Sequence, residues 1–327
     1  MPSPPRIILP KSVVFITTRT EQGLPFVCHA YMELVLWGIL ARAQHLYPVK
    51  VCHFIFMGNH LHFLLLAEEP TDVVNFINRI KTETSHAVNR FLGNQGRRTV
   101  WCDSYDCVPV LTIEDVLNKI SYIYTNPAQS HLVESIEEYP GVSSWEMYKA
   151  GKVSKDAKWI NRSRIQRSVK NMQPWERDAY ARELEDKSLE SHTFVLSPDA
   201  WKEAFNYKGE VKLEIEKRVQ LAEKLLKEER EKNKQSVVGR KSLKAQKIDR
   251  PFSPKKFGRR MWCICRDVEK RVKFISYIKS LRRKAKEVVA RWNRGDFSVQ
   301  YPLGLFAPKP QAYANRLPDY PAAMVWV

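Results

Sequence analysis

Two strand-forming runs, Val49 to Met57 and His60 to Leu66, are separated only by Gly58-Asn59. A two-residue break of this type supplies the positive φ values of a tight turn, so the runs must fold back on each other as an antiparallel hairpin. Both runs are almost continuously apolar, so this hairpin belongs inside a layered domain, covered by other elements.

The neighbouring sequence supplies those elements. Val13 to Thr17 is a short β-branched strand, and Phe26 to Leu46 has helical stretches that end before Pro48. Thr71 to Leu92 predicts an amphipathic helix with Val73, Val74, Ile77, Ile80, Val88 and Phe91 toward the core. Trp101 to Val110 reads as a strand with its connecting loop. Ile113 to Asn126 reads as a helix, with Thr112 as N-cap, Asp115 three residues later and Pro127 marking its end. The order strand, helix, hairpin, helix, strand, helix predicts an α+β domain with an antiparallel or mixed sheet and packed helices.

Beyond Ser143-Ser-Trp145 strand patterning disappears and cations thicken. Of 54 Lys and Arg against 36 Asp and Glu, residues 1–150 hold 12 and 14, net −2, and residues 151–327 hold 42 and 22, net +20. The formal charge of +18 therefore lies wholly in the second half. This asymmetry points to a polyanionic partner, nucleic acid first, with a solubilising tail as the bland alternative. The expected organisation is a catalytic domain over 1–150 and a basic, mainly helical DNA-binding extension over 151–327. Within the extension, Glu210 to Lys234 predicts a helix with Glu214/Arg218, Glu223/Lys227 and Glu228/Lys232 pairs. Gln235 to Pro254 reads as a linker. Arg266 to Trp292 reads as a basic helix with Val272, Ile275, Ile278 and Leu281 inward, and Tyr301 to Pro321 as an extended Pro/aromatic arm.

The chemistry-bearing residues lie in the first half. His60-Leu61-His62 sits on the second hairpin strand, where residues i and i+2 share a face roughly 7 Å apart. Both imidazoles can therefore converge on one divalent ion; the competing reading is two polar residues on a partly exposed strand. Tyr122 and Asn126 are spaced i,i+4 on one helix face. An amide oxygen beside two imidazoles suits Mg²⁺ or Mn²⁺ better than a structural zinc. Tyr124 competes with Tyr122 for the role of nucleophile, but lies about 200° around the helix and off the Asn126 face. His53, His131 and Glu83 read as structural or surface residues.

The run Phe54-Ile-Phe-Met-Gly-Asn-His60-Leu-His62-Phe-Leu-Leu, followed about 60 residues later by Tyr122-Ile-Tyr-Thr-Asn126-Pro, His131-Leu-Val133 and Gly141-Val-Ser-Ser-Trp145, resembles the single-tyrosine HUH transposases. Among them it is most similar to the REP-associated tyrosine transposases (RAYTs), over roughly residues 11–148. The resemblance implies a ferredoxin-like, RRM-like HUH domain in which His60, His62 and Asn126 hold Mg²⁺ or Mn²⁺ and Tyr122 is the nucleophile. It implies cleavage and rejoining of single-stranded or hairpin DNA, such as a REP or palindromic element, through a 5′-phosphotyrosine. Insertion-sequence relatives carry glutamine at the third ligand position, where this sequence and RAYTs have asparagine. Gly58 stands where the family often has proline, a departure at the turn rather than at the ligands. Insertion-sequence relatives form homodimers, and nothing in these residues decides between dimer and monomer.

Three clusters in the basic half combine cations with aromatics, as a single strand requires of its binding surface. They are Arg162, Arg164, Arg167 and Lys170 with Trp175; Lys255, Lys256, Arg259 and Arg260 with Trp262; and Arg282, Arg283, Lys284, Lys286 and Arg291 with Trp292. Two other function classes compete: a DNA-binding protein of the same fold that no longer cuts, and a metal hydrolase in which His-x-His activates water. Six cysteines, including Cys263-Ile-Cys265 without a second pair, are too sparse and irregular for a disulfide scaffold or zinc site. No apolar run is long enough to span a bilayer, and Met1-Pro-Ser-Pro-Pro-Arg6 lacks a signal pattern, which gives the expectation of a cytoplasmic, nucleoid-associated protein with no membrane partner.

Overall fold

The structure is a computed structural model, described over residues 7–21, 30–93, 99–246 and 261–308. Strand β1 (Ser12–Arg19) leads to helix α1 (Ala30–Leu46), the hairpin β2 (Lys50–Phe56) and β3 (His60–Ala67), helix α2 (Pro70–Phe91), strand β4 (Asp106–Pro109) and helix α3 (Ile113–Gln129). The strands form one sheet in the order β2-β3-β1-β4, antiparallel at every pairing. This βαββαβ order with β1 and β3 central is the ferredoxin-like arrangement expected from the sequence.

Register sorts the side chains. Thr17 pairs with His62, Arg19 with His60 and Ile55 with His62, so Phe15, Thr17, Arg19, His60 and His62 share the face toward α3. The opposite face carries Phe54, Phe56 and Phe63, which meet Trp37 of α1 and Phe76 of α2 in edge-to-face contacts. Both faces are thus buried, which explains the nearly unbroken apolar runs of the hairpin. The α2 residues Val73, Val74, Ile77, Ile80 and Val88 are buried as expected, but Phe91 is 43% exposed because α2 has run past the sheet by its last turn.

The sheet's edges are closed by distant chain. On the β2 side Phe56 N–H donates to Val142 O at 2.8 Å and Ser144 N–H to Phe54 O at 3.0 Å. On the β4 side Ile264 N–H donates to Pro109 O at 2.8 Å and Leu111 N–H to Ile264 O at 3.1 Å. Covering both edges removes the templates on which another chain could pair.

The second half contains more strand than its sequence announces. After α4 (Trp145–Lys149), β5 (Ser154–Ile160) and β6 (Leu189–Val195) pair antiparallel, enclosing α5 (Arg162–Ser168) and α6 (Pro174–Lys187). This ribbon lies on α1, whose Gly38 is forced by the contact: a Cβ there would stand 2.2 Å from Lys158 O. Phe194, Trp201, Ile215 and Val219 join the same core as the four-stranded sheet.

The remaining elements are helical: α7 (Lys212–Lys232), α8 (Arg240–Lys244) within the expected linker, and α9 (Val268–Asn293). Helix α7 packs along α3. Its Glu214–Arg218 pair forms, and Arg218 also reaches Glu114 at 2.8 Å, but Glu223 turns inward to accept the Ile136 N–H at 2.7 Å instead of pairing along its own helix. In α9 Ile278 and Leu281 are buried and Ile275 half-buried, while Val272 is 56% exposed, because only the helix's later turns meet the small cluster with Ile7 and Leu305. Of the expected arm, residues 309–321 lie outside the described residues, as does 247–254 of the linker. Among the described residues no helix is long and apolar enough to cross a membrane.

Candidate active site

Helix α3 is set by both its ends. At the start, Thr112 Oγ1 accepts the Asp115 N–H at 3.1 Å and its hydroxyl donates to Asp115 Oδ2 at 2.5 Å, a reciprocal cap. At the other end, α3 does not stop at Pro127. It runs on to Gln129, since a proline in the last turn forfeits only one ladder bond. The actual stop is His131, in the left-handed region at φ +54, with His131 N–H donating to Ala128 O and Leu132 N–H to Pro127 O. That pattern is the Schellman closure, with histidine where glycine is usual. Asn126 therefore sits inside the helix, not at a frayed end, and is 3% exposed.

The buried Arg230 of α7 locks this terminus. Its guanidinium donates to Ala128 O at 2.9 Å and to Glu134 Oε2 at 2.6 Å, adding a charged donor to the carbonyl that already accepts the His131 N–H.

So fixed, α3 lays Tyr122 and Asn126 against β3. The Asn126 amide Nδ2 donates to His62 Nε2 at 3.2 Å, its Oδ1 accepts the Ser130 hydroxyl at 3.2 Å, and the amide lies close enough to His60 and Tyr122 to influence the protonation of both. The two imidazole centroids are 4.9 Å apart, and His62 and Tyr122 meet edge-on at 5.3 Å. Phe15 stacks on His62 at 5.2 Å and closes the pocket from β1. Each histidine is held from its far side: His60 Nδ1 donates to Asn59 Oδ1 at 2.8 Å, and His62 Nδ1 lies 2.9 Å from Thr17 Oγ1. These partners place the ring protons on Nδ1 and leave the Nε2 lone pairs facing the site.

Burial holds both imidazoles neutral. It lowers His60 to about 4, with Arg19 adding to the effect, and takes His62 well below its ordinary value, reinforced by His60, Lys119 and Arg19. Burial likewise raises the Tyr122 phenol, partly offset by the neighbouring Asn126 amide and by Arg19. Two neutral imidazoles and an amide that can present its oxygen form a donor set that fits a divalent cation. Among the described residues no group of three or more His, Cys, Asp or Glu side chains could hold a metal, so an amide would have to complete the set.

Tyr124 has a different setting. It is fully buried, its hydroxyl 2.6 Å from His53 Nδ1 and 2.9 Å from Ser144 Oγ, while Ser144 bonds both the N–H and C=O of Phe54. This network ties α3 to β2 and lies on the side of the helix away from His62. Glu83 accepts from Trp159 Nε1 at 2.9 Å and pairs with Arg79, far from the histidines in role.

The expected DNA-contacting residues are dispersed. Arg164, Arg167 and Lys170 are exposed on and just beyond α5, and Arg283 and Lys284 are exposed on α9. Arg162 is half-buried near Arg90, Glu185 and Glu83. Arg282 stacks on Trp262 at 4.2 Å. Lys255, Lys256, Arg259 and Arg260 lie outside the described residues. Thr17, Asn59, Arg19 and Lys119 border the site without having stood out in the sequence, because their meaning comes from cross-strand register and from the face of α3.

Residues 23–126 match the family model described as Transposase IS200 like. The match spans the hairpin, both histidines, Tyr122 and Asn126, and it supports a place in the single-tyrosine HUH transposase superfamily for this part of the chain. No curated protein is a significant match. Three solved structures are similar. A REP-associated tyrosine transposase bound to a REP hairpin is 18% identical, with 46% of this chain and 86% of that one covered and a TM-score of 0.38. A putative transposase from Deinococcus radiodurans R1 is 16% identical, with coverage of 38% and 95% and a TM-score of 0.27. The tRNA(His) guanylyltransferase of Saccharomyces cerevisiae is 9% identical, with coverage of 64% and 86% and a TM-score of 0.31. All three scores are below 0.5, so the fold assignment rests on the strand order and register.

Proposed function

We propose that this protein cuts and rejoins single-stranded or hairpin DNA, as a transposase or domesticated relative of RAYT type, with Tyr122 as nucleophile. The observation that supports this is the convergence of Tyr122 and Asn126 from one face of α3 onto His60 and His62 of β3. Mg²⁺ or Mn²⁺ held by His60, His62 and Asn126 would polarise the phosphate and offset charge developing on it.

The chain's own residues then account for the rest. Tyr122 Oη forms a bond to the phosphorus, the P–O3′ bond breaks, and the products are a 5′-phosphotyrosine and a free 3′-OH. Because burial keeps the phenol protonated near neutral pH, its proton is lost to water as the new bond forms, and the departing O3′ takes up one proton from water to become the 3′-OH. Attack by another 3′-OH on the phosphotyrosine reverses the step and joins strands without an external energy source. The exposed cations of α5 and α9 extend the grip on the DNA backbone, and the charge of the second half makes affinity fall with salt. A cytoplasmic, nucleoid-associated location follows from such a substrate.

The test is incubation of the full chain with labelled single-stranded hairpin DNA and Mn²⁺. A covalent adduct is expected with the native chain and none with Tyr122→Phe, DNA binding being retained. Binding without any adduct would instead favour a DNA-binding protein that does not cut.

A further inference from the structure

Beside Tyr122 opens a cleft of about 860 Å³ between α3, α7 and the segment that runs from Met261 into α9. Its walls differ in chemistry. Met261, Trp262 and Ile275 contribute apolar surface, Lys119, Arg266 and Arg271 contribute cations, and Asn118 and Gln129 contribute amides from the helix.

Lys119 is the residue that calls for a ligand. One turn before Tyr122 on α3, it is half-buried, with its ammonium 4.8 Å from the Tyr122 ring centroid and 5.1 Å from that of Phe15. Among the described residues its ammonium makes no hydrogen bond or close ion pair; burial lowers its pKa, and Asp115, which attracts it from a distance, is opposed by Arg266. The nearest candidate on its own helix, Asp115, is committed elsewhere: its carboxylate accepts the Thr112 hydroxyl and the Arg266 N–H, the latter at 3.2–3.3 Å. A partly desolvated ammonium whose nearby carboxylate is hydrogen-bonded to other donors has no anion in contact with it, and aromatic faces compensate only part of that cost.

We propose that this cleft is the seat of one nucleotide of the strand being cut, with Lys119 binding the phosphodiester adjacent to Tyr122 and the Met261–Trp262 edge forming the wall for its base. The inference rests on the proposed strand-cutting reaction and names the binding unit of that same site. A nucleotide fits both walls, since its phosphate needs a cation and its base an apolar surface. A phosphate oxygen held by Lys119 would carry more negative charge as Tyr122 attacks, so Lys119 acts chiefly on the rate.

The experiment has two arms on the full-length protein. In the first, single-turnover adduct formation is measured at saturating DNA for Lys119→Gln and Lys119→Arg, with thermal melts confirming folding. The expected result is a loss of about 10- to 100-fold in rate for Lys119→Gln, little change in DNA Kd, and substantial recovery in Lys119→Arg. A folded Lys119→Gln protein that reacts at the native rate overturns the phosphate assignment. In the second arm, the Tyr122→Phe chain, which keeps the strand uncut, is photocrosslinked to an oligonucleotide carrying 5-iododeoxyuridine at successive positions. Crosslinks on the peptide containing Met261 and Trp262 are expected, and crosslinks confined to other peptides overturn the base wall. If the native chain forms no adduct at all, the cutting reaction fails while the crosslinks still decide the occupant of the cleft.

Discussion

The phenol ring of Tyr122 stands edge-on to the imidazole of His62, their centroids 5.3 Å apart and their planes at 69°. Two residues further along the same helix, Tyr124 is sealed in the core against His53 and Ser144. One helical stretch thus carries two tyrosines of opposite character, and phenylalanine substitutions should separate them. Tyr124→Phe should retain adduct formation but lose about 1–3 kcal/mol of stability, because His53 and Ser144 each lose a buried partner. An adduct assay alongside chemical denaturation checks both parts.

Asn126 donates to His62 Nε2 and its amide bears on the protonation of both His60 and Tyr122. Asn126→Ala removes the amide while leaving both imidazoles in place. The Mn²⁺ concentration for half-maximal cleavage is expected to rise about tenfold or more, as read from a metal titration of the cleavage rate.

Arg230→Ala should be among the most destabilising changes in the second half. The substitution strips Ala128 O and Glu134 of a buried guanidinium at the end of α3. The expected loss is about 2–4 kcal/mol, measured by urea unfolding, and Arg230→Lys should recover only part of it because one ammonium does not reproduce the two-pronged contact.

Glu223 supplies a pH dependence. Its carboxyl, raised to about 7 chiefly by burial, accepts the Ile136 N–H. A folded-state value above the unfolded one means that the fold binds the proton more tightly. Its contribution is therefore fully favourable below about pH 4 and is lost as pH rises toward and through about 7. Glu223→Gln keeps an oxygen acceptor but cannot ionise. The variant should melt at a higher temperature than the native chain at pH 8, with the difference shrinking by pH 5, as scanning calorimetry at both values will show.

How far the sequence disclosed this protein depends on how local each signal is. The hairpin, α2 and α3 were legible because their periods and caps lie within a few residues of one another, as in Thr112 with Asp115, although the turn at Gly58-Asn59 is made without the positive φ values its sequence suggests. The pairing of His62 with Tyr122 and Asn126 was legible only through the family resemblance, since nothing within the intervening stretch of chain fixes which helix face meets which strand face. The β5–β6 ribbon escaped notice because it presents mostly polar, exposed residues and buries only positions such as Ala157 and Phe194 on α1. Pro127 misled about the helix end because the true stop, a left-handed histidine, has no strong sequence signature. Lys119 carries no signal of its own in the sequence, and only the placement of Phe15 on β1 and the commitment of Asp115 to Arg266 give it a role.

The outer edge of β4 is completed by Ile264, and the Asp115 carboxylate by the N–H of Arg266. About 150 residues separate each donor from its acceptor. On a translating ribosome adding about 5–20 residues per second, the strand and the helix that bears Tyr122 emerge roughly ten to thirty seconds before the residues that finish them. The nascent chain therefore passes through an interval in which its sheet is open on one side, and a stop codon anywhere before residue 264 makes that interval permanent.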